Sequence, residues 1–532
     1  MGIFISVAKT LESIFIAVIF AVMLLAAVYR QAGVLQSAGY SCRKYCKWLG
    51  KKGNTAFTRF ALLACMCGLI SAVLSLCFSF TGWGAPIIGL SAYALFFAVF
   101  VSADRKIALR SEVTFTPRLY RLFAVMWLVF AIASYVLVTG LNFLENVLES
   151  GVFTCFKYSA LAIMPLLAIP LMLLADCIAK IYEVPRNKSF VKKAKKKLAQ
   201  YDIKVIGITG SYAKTSVKFI IRTLLSEKYS VLATPSSHNT PIGIALAVNS
   251  HDLSEYDFFI AEMGARHRGD IAELCEISPP DISIVTGICG QHMETFGTFE
   301  NIVYTKGEIL TATRGTAVIA DDCFDLFAEY PCAKLRADCV RDIECSPEGV
   351  SFTLTLGGES RRVRSPLLGR HSAYNIGIAA CAVHLAGMTL DEICAGIEKI
   401  TFIEHRLQLI KANGVNIIDD GYNSNVKGAR AALEVLKTFG GNRIVVTPGL
   451  VELGVLEEEE NFALGKELAG FDYVILVGET LIEPVKRGYA EAGGDPCKLA
   501  VRPTLAKAQE ELQLHIKEGD TVLFLNDLPD VY

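Results

Sequence analysis

The distribution of apolar residues constrains this chain more than any other feature of its sequence. Hydrophobic residues make up 52% of the 532 residues, and their excess lies before residue 185. Each apolar run there is about as long as the ~20 residues that a membrane-spanning helix needs. The runs lie near 12–29, 60–80, 86–103, 119–141 and 159–182. The sequence therefore predicts five transmembrane helices within residues 1–185, followed by a soluble remainder.

The charges between these runs predict an orientation. Lysine and arginine are concentrated in the first and third connections and again after the fifth run, at 192–197. Because basic loops stay in the cytoplasm, we expect an external N-terminus, a multi-pass cell-membrane location and a cytoplasmic remainder. Membrane lipids are then partners, and the basic run at 192–197 fits either anionic headgroups or a solvated linker. We expect no acid–base pair within the spans, which favours anchoring over transport.

Composition excludes two further classes of function. The net charge is −1, so no overall positive field attracts nucleic acid, and we expect no nucleic-acid partner. The sixteen cysteines include no C-x-x-C pair, which argues against a zinc site or a disulfide framework. Reduced, packed thiols are expected instead.

Beyond residue 200, short apolar strand patterns alternate with helical patterns, as is typical of parallel α/β sheets. The strand patterns lie at 204–209, 258–262, 282–286, 317–320, 415–419, 443–447, 473–477 and 521–525. Two more, at 350–356 and 361–368, predict an antiparallel insertion. A break near 400–415 divides this half of the chain. The predicted fold class is thus multi-domain: a helical transmembrane bundle (1–185), a central α/β phosphate-loop domain (186–400) and a smaller Rossmann-like α/β domain (401–532).

The segment at 205–216 resembles a phosphate-binding loop. It reads Val-Ile-Gly-Ile-Thr-Gly-Ser-Tyr-Ala-Lys-Thr-Ser, which is a strand pattern, a small-residue turn and a helix start. In such loops backbone N–H groups face the anion, a lysine neutralises phosphate charge and a hydroxyl reaches Mg²⁺. Lys214 and Thr215 fit those roles, although the usual pattern has glycine where Ile208 and Ala213 stand. The alternative is a strand–turn–helix corner with an exposed lysine.

Candidate polar residues follow other strand patterns. Glu262 ends one pattern, His292 follows another, and Lys306 opens or continues a helix. Since α/β sheets bind ligands at the carboxyl ends of their strands, a Glu and a His there can complete a Mg²⁺–triphosphate site. Each could equally be structural, as a solvated strand end or a satisfied loop residue.

Three later polar residues are ambiguous from physics alone. Asn375 could cap a helix, Arg406 could form a surface ion pair, and Asp420 could lie in a solvated turn.

Taken together, these segments resemble the Mur ligase family, most closely its D-alanyl-D-alanine-adding branch. The resemblance covers about residues 200–532, with its motifs in the family's order. The matching segments are Gly-Ile-Thr-Gly-Ser-Tyr-Ala-Lys-Thr-Ser at 207–216, Thr-Pro-Ser-Ser-His-Asn-Thr-Pro-Ile-Gly at 234–243, Glu-Met-Gly at 262–264, His-Met-Glu-Thr-Phe-Gly at 292–297, Lys-Gly-Glu-Ile at 306–309, Leu-Gly-Arg-His-Ser-Ala-Tyr-Asn at 368–375, His-Arg-Leu at 405–407, Asp-Asp-Gly-Tyr-Asn-Ser-Asn at 419–425 and Val-Glu-Leu-Gly at 451–454.

The resemblance implies ATP and Mg²⁺ as cofactors and assigns residue roles. The implied catalytic residues are Lys214, Glu262, His292 and Lys306. The implied metal ligands are Thr215, Glu262, His292 and Lys306, the last as a carbamylated lysine. The implied nucleotide-binding residues are Gly210, Ser211, Tyr212, Ala213, Lys214, Thr215, Ser216, Asn375, Arg406 and Asp420, with Asn375 and Asp420 at adenine and ribose.

The resemblance also implies the reaction. ATP activates a carboxylate to an acyl phosphate, which an amine attacks to form an amide. The implied partners are a muramyl-peptide-type carboxyl substrate, soluble or lipid-linked, and an amino acid or dipeptide. Two departures matter: Ala213 replaces the last glycine of the loop, and membrane spans stand where the family has its UDP-binding domain. These departures leave a second hypothesis, a non-catalytic nucleotide-binding scaffold that recruits wall-synthesis partners to the membrane.

Overall fold

The structure is a computed structural model of the chain. It describes residues 2–50, 61, 62, 66, 98, 99, 101, 102, 113–148, 164–236, 238–290, 293–422, 425–451, 453, 456–478 and 481–526. The chain divides into two compact units, residues 1–186 with the last four residues and residues 187–528. They are called here the helical unit and the α/β unit. The predicted domain limits 1–185, 186–400 and 401–532 stay predictions.

The helical unit contains long helices rich in apolar residues and, among them, a short polar helix. They are α1 (Gly2–Ser37), α2 (Cys42–Leu49), α3 (Pro117–Leu148) and α4 (Met164–Leu198), of which the last continues beyond this unit. α1 packs on α3, with Leu24, Leu122 and Phe130 buried in a shared core. Within the described residues, two segments are long and apolar enough to cross a membrane, Ser13–Ser37 and Pro117–Phe143.

The five-span bundle is therefore not confirmed. The two segments overlap the first and fourth predicted spans. The predicted spans near 60–80 and 86–103 lie almost entirely outside the described residues, as does the start of the fifth, before Met164.

The expectation that the spans hold no acid–base pair is wrong. Lys180 lies 2.5 Å from the buried Asp176, one helical turn away on α4, because residues four apart share a helix face. Arg121 on α3 likewise lies 2.5 Å from the buried Glu183. The Asp176–Lys180 pair lies within α4, whereas the Arg121–Glu183 pair joins α3 to α4.

The α/β unit contains a first sheet of six parallel strands in the order β2-β3-β1-β4-β5-β6. The strands are β1 (Lys204–Thr209), β2 (Val231–Ala233), β3 (Phe258–Glu262), β4 (Ile282–Val285), β5 (Thr316–Ala320) and β6 (Ala333–Ala337). β1, β3 and β4 are almost wholly buried, as parallel strands covered by helices on both faces require. The covering helices are α5 (Lys214–Leu225), α6 (Pro241–Ser250), α7 (Asp270–Ile277), α8 (Met293–Phe296), α9 (Phe299–Ala312), α10 (Arg370–Leu385) and α11 (Leu390–Glu398).

An antiparallel sheet is inserted between β6 and α10. It consists of β7 (Val340–Ser346), β8 (Gly349–Leu356) and β9 (Glu359–Ser365). β8 alternates buried and less buried residues along its length, because only one face packs on the core. The predicted antiparallel insertion is thus present, with a third strand that the prediction lacked.

A second six-stranded sheet follows, in the order β10-β11-β15-β12-β13-β14. Its strands are β10 (Gln408–Ala412), β11 (Val415–Asp420), β12 (Arg443–Thr447), β13 (Tyr473–Val477), β14 (Leu499–Arg502) and β15 (Thr521–Leu525). β10 pairs antiparallel with β11 and the other pairs are parallel. Its helices are α12 (Val426–Lys437), α13 (Glu457–Leu468), α14 (Ile482–Glu491) and α15 (Leu505–His515). The α/β class predicted for residues beyond 200 is confirmed.

Candidate active site

The loop at 210–213 turns the chain from β1 into α5. Gly210 has φ +148°, and a Cβ there would lie 2.2 Å from the Thr286 hydroxyl, so only glycine fits. The Ser211 N–H donates to the Gly287 carbonyl at 2.8 Å. The end of β4 therefore holds this loop against the N-terminus of α5, where helix N–H groups favour an anion.

Ala213 adopts the left-handed conformation, with φ +61° and ψ 0°. For a residue with a Cβ this conformation costs roughly 1–2 kcal/mol. The loop keeps its turn with alanine, and the cost lies in the backbone dihedral angle, which glycine would adopt freely.

Glu262 lies at the end of β3, only 1% exposed. Parallel pairing of β1 with β3 sets Glu262 beside Ile208 and so beside the start of the loop. The Thr215 hydroxyl donates to the carboxylate at 3.1–3.2 Å, Asn239 donates at 3.2 Å, and the Lys218 ammonium lies 2.9 Å away. A buried carboxylate with this many partners has a fixed orientation.

Two of these partners, Lys218 and Asn239, were not predicted as site residues. Lys218 is buried and also donates to the Ser236 carbonyl. It lies one helical turn after Lys214, a spacing that puts side chains on one helix face, so the spacing could have identified it. Asn239 lies within a motif that the sequence analysis matched without assigning it a role.

Lys214 folds back over the loop, and its ammonium donates to the Gly210 carbonyl at 2.8 Å. Burial lowers the pKa of Lys214, the nearby Glu262 carboxylate opposes this shift, and Arg406 adds to it. Burial likewise lowers the pKa of Arg406, while Asp420 and Glu262 act in the opposite direction. Three cations, Lys214, Lys218 and Arg406, therefore lie around the two carboxylates of Glu262 and Asp420, which leaves net positive charge for an anionic ligand.

Lys306 lies inside α9 and is 3% exposed. Burial, with the charge of Lys214 as the next cause, lowers its pKa to about 7. Neutral amine is then available near neutral pH, whereas an ordinary lysine is almost fully protonated. A helix-surface lysine would be the structural alternative at this position, and the burial of Lys306 excludes it.

The Glu262 carboxylate and the Thr215 hydroxyl fit Mg²⁺, which binds one or two carboxylates together with substrate phosphates. The Thr215 hydroxyl donates its proton to Glu262, so its lone pairs stay available to a cation. Among the residues that the structure describes, no group of three or more His, Cys, Asp or Glu side chains converges. His292 lies outside the described residues.

A cavity of about 460 Å³ is lined by the residues implied to bind adenine and ribose. Its lining includes Asn375 from α10, Asp420 from the end of β11, Arg406, and also Tyr212, Ala213 and Ser216 from the loop and the start of α5. Asn375 lies within α10 rather than capping it. Asp420 is buried, and its carboxylate accepts the Leu407 N–H at 3.1 Å. The cavity therefore lies between the two large sheets of the α/β unit.

Two smaller cavities lie beside the loop. The first, about 150 Å³, is lined by Lys214, Thr215, Glu262 and Arg406 among others, and it shares lining residues with the cavity of Asn375. The second, about 330 Å³, is lined by Gly210, Ser211, Lys214, Asn239 and Lys306 among others, and it shares lining residues with the first. Every predicted site residue that the structure describes lines one of these three cavities. Adjacent cavities of this kind suit a reaction that joins a nucleotide to a second substrate.

Comparison with known proteins agrees with this geometry. Residues 208–383 match the Mur ligase middle domain, and residues 405–526 match the Mur ligase, glutamate ligase domain. The UDP-N-acetylmuramoyl-tripeptide–D-alanyl-D-alanine ligase of Escherichia coli strain K12 is 30% identical over 338 residues, which cover 60% of this chain and 75% of that protein. The protein of the same name from Bacillus subtilis strain 168 is 30% identical over 277 residues, covering 50% of this chain and 60% of the relative.

Solved structures show the same similarity. MurF ligase from Thermotoga maritima, in complex with ADP, has a TM-score of 0.58 and 28% identity, covering 65% of this chain and 81% of that one. MurF from Acinetobacter baumannii has a TM-score of 0.59 and 26% identity, covering 64% and 78% respectively. The chain therefore belongs to the Mur ligase family of ATP-dependent ligases.

Proposed function

We propose that this protein is a membrane-anchored ligase of peptidoglycan precursor synthesis, which uses ATP to join a muramyl-peptide carboxylate to an amino acid or dipeptide. The observation that carries the proposal is the arrangement at Glu262. The buried Glu262 carboxylate, the Thr215 hydroxyl and the Lys218 ammonium converge at the small cavity that shares lining residues with both the nucleotide cavity and the cavity of Lys306. A scaffold that only bound nucleotide would not need the cavity beside Lys306.

The proposed reaction consists of two successive transfers. A donor carboxylate oxygen attacks the γ-phosphorus of ATP, the bond to the β–γ bridging oxygen breaks, and ADP leaves with an acyl phosphate remaining. An amine then attacks the acyl carbon, loses a proton and expels inorganic phosphate, which leaves an amide. The first step brings two anions together and the second expels an anionic phosphate, so cations that face the developing charge lower both barriers.

Residues of the chain supply those cations and the nucleotide contacts. Lys214 and Arg406 face the phosphates, with the loop at 210–216 offering backbone N–H groups. Asn375 and Asp420 hold adenine and ribose. Glu262, Thr215 and His292 would hold Mg²⁺, which when bound neutralises phosphate charge.

Lys306 is proposed to act as a carbamate. Its neutral amine adds to CO₂ and loses a proton, which converts a cation into a carboxylate-like anion. The burial of Lys306 and its lowered pKa support this, because only the neutral amine is nucleophilic. An ammonium at this position would repel a metal ion, whereas a carbamate would bind one.

The proposed substrates are taken from the names of the relatives. The Escherichia coli relative is named as a ligase of UDP-N-acetylmuramoyl-tripeptide and D-alanyl-D-alanine, so a muramyl peptide and a dipeptide are the first pair to test. The helical unit stands in the sequence where the family has its UDP-binding domain, which favours a lipid-linked donor beside the soluble one.

The membrane proposal keeps five spans with the α/β unit in the cytoplasm. The two apolar helices Ser13–Ser37 and Pro117–Phe143 support it, together with the basic residues of the connections. Reporter fusions test the topology directly. Fusions at Thr81 and Glu149 should report an external location and a fusion after Lys197 an internal one, and an internal location at Thr81 would refute five spans.

The function is tested by phosphate release from purified full-length protein. Candidate amino acids and dipeptides are offered with soluble and lipid-linked muramyl peptides, and ATP is present throughout. We expect phosphate release that requires a donor and an amine together. Release that is independent of both would indicate an ATPase, and a protein that binds ATP without any release would indicate the scaffold.

A further inference from the structure

Lys427, near the start of α12, connects the second sheet to the phosphate loop. Its ammonium lies 3.1 Å from the Asp322 carboxylate and 3.4 Å from the Tyr212 hydroxyl, and it lies 5.1 Å from the centre of the Tyr212 ring. The Tyr212 hydroxyl in turn donates to the same oxygen of Asp322. The three side chains, called here the Lys427 triad, come from α12, the segment after β5 and the loop.

Tyr212 is held at several points. Its ring lies over Gly287, where a Cβ would fall 2.2 Å from the ring atoms. Its backbone carbonyl accepts the Thr286 hydroxyl, and its side-chain hydroxyl lies in the Lys427 triad. Backbone and side chain are thus both fixed immediately before the strained residue Ala213.

Strained backbone conformations persist only where the surrounding structure determines them. Ala213 has a left-handed conformation that alanine resists, and its preceding residue is the one that the triad holds. Because Lys427 and Asp322 are each about half exposed, their ion pair alone contributes little. Its effect is therefore expected through Tyr212, by cation–π attraction to the ring and by orienting Asp322 toward the hydroxyl.

We propose that Lys427 is a positioning residue which, through Asp322 and Tyr212, keeps the phosphate loop in its nucleotide-binding conformation despite alanine at position 213. This inference rests on the nucleotide-binding part of the proposed function and not on ligation. Lys427 itself need not touch the nucleotide, although it borders the same cavity. The proposal makes Lys427 and Ala213 energetically coupled.

The test measures ADP binding to purified full-length protein by calorimetry. Lys427→Met removes the ammonium but keeps an unbranched side chain, and we expect the Kd for ADP to rise roughly fivefold, as loss of a cation–π contact and an exposed ion pair implies. Lys437→Met is the matched control. Lys437 lies at the end of the same helix, about half exposed and 2.6 Å from Glu434, and its substitution should leave the Kd unchanged.

The decisive experiment repeats Lys427→Met in a protein that also carries Ala213→Gly. Glycine adopts the left-handed conformation without strain, so in this background Lys427→Met should change the Kd by less than about twofold. An equal loss in both backgrounds would overturn the proposal, since Lys427 would then act independently of the loop, for example by contacting the nucleotide directly.

Tyr212→Phe provides a second variant that keeps the ring. It removes only the hydroxyl, so we expect a loss of about two- to threefold, as for one hydrogen bond, which Ala213→Gly should again suppress. A loss that persists with glycine would contradict the proposal. ADP binding needs no turnover, so a protein that binds ADP with this coupling but never ligates would refute only the proposed function. A ligase whose Lys427→Met variant has the wild-type Kd would refute only the inference.

Discussion

The helical unit and the α/β unit each bury a carboxylate beside a lysine, and the two pairs are built differently. Asp176 and Lys180 lie on one helix, so the helix alone brings them within 2.5 Å. Glu262 and Lys218 come from a strand end and a helix. The Glu262 carboxylate has two further side-chain donors and borders a cavity. The first arrangement pairs two charges within one helix, whereas the second places a carboxylate at the wall of a cavity.

The largest expected effect is on the rate of phosphate release, when Glu262 or the neighbouring Lys214 is substituted. Glu262→Gln keeps the shape of the side chain but removes the charge, and Lys214→Ala removes the cation that faces the phosphates. We expect each to lower the rate of phosphate release by roughly 10²-fold or more, as for lost transition-state electrostatics. Steady-state kinetics on purified variants measures this. Full activity in Glu262→Gln would remove the role given to this carboxylate.

The next effect concerns Lys306. Lys306→Ala should lose activity by a similar factor, and added short-chain carboxylates should restore part of it by occupying the space of the carbamate. Lys306→Glu should retain more activity than Lys306→Arg, because a metal ion needs the negative charge. Equal activity of the arginine variant and the wild type would show that Lys306 is not a metal ligand.

A matched pair of lysine substitutions compares the two units directly. Lys218→Met leaves Glu262 buried without its cation, and removing one partner of a buried ion pair costs about 3–5 kcal/mol. We expect lower thermal stability together with at least tenfold slower phosphate release. Lys180→Met should lower stability in the helical unit and leave the rate of phosphate release unchanged. If Lys180→Met slowed phosphate release as much as Lys218→Met, the distinction between the two pairs would be wrong.

The smallest effect is expected at Ala213. Ala213→Gly should raise the free energy of unfolding by up to about 1 kcal/mol, because relief of the left-handed strain exceeds the entropy that glycine adds to the unfolded chain. Thermal unfolding with and without ADP measures the change. A clear loss of stability would show that the strain is absent.

The sequence predicted the buried parts of the α/β unit better than its edges. The strands β1, β3, β12, β13 and β15 have the predicted bounds, since buried parallel strands are continuous apolar runs. The strands that the sequence analysis missed, such as β6, β10 and β14, are short and partly exposed, so they carry no such run. In the helical unit, the ion pair of Asp176 and Lys180 was visible in the sequence and was overlooked.

In the candidate site, too, the sequence predicted some contacts and could not predict others. Lys214, Thr215 and Glu262 follow strand patterns, so their approach to one another could be predicted from α/β topology. The burial of Lys306 could not, because it depends on how α9 packs. The Lys427 triad joins three distant segments, and its contacts depend on how the two sheets meet. Motifs thus indicate the chemistry, while long-range packing decides which charged residues support it.

The proposed mechanism requires that a carboxylate is activated as an acyl phosphate in this site. The direct measurement uses a muramyl-peptide donor labelled with ¹⁸O in its reacting carboxylate, with ATP and D-alanyl-D-alanine, and analyses the inorganic phosphate by mass spectrometry. The mechanism predicts one ¹⁸O atom transferred to phosphate for each amide formed, at a rate roughly 10²-fold or more lower in Glu262→Gln. Phosphate released without ¹⁸O, in the presence of labelled donor and amine, would contradict it.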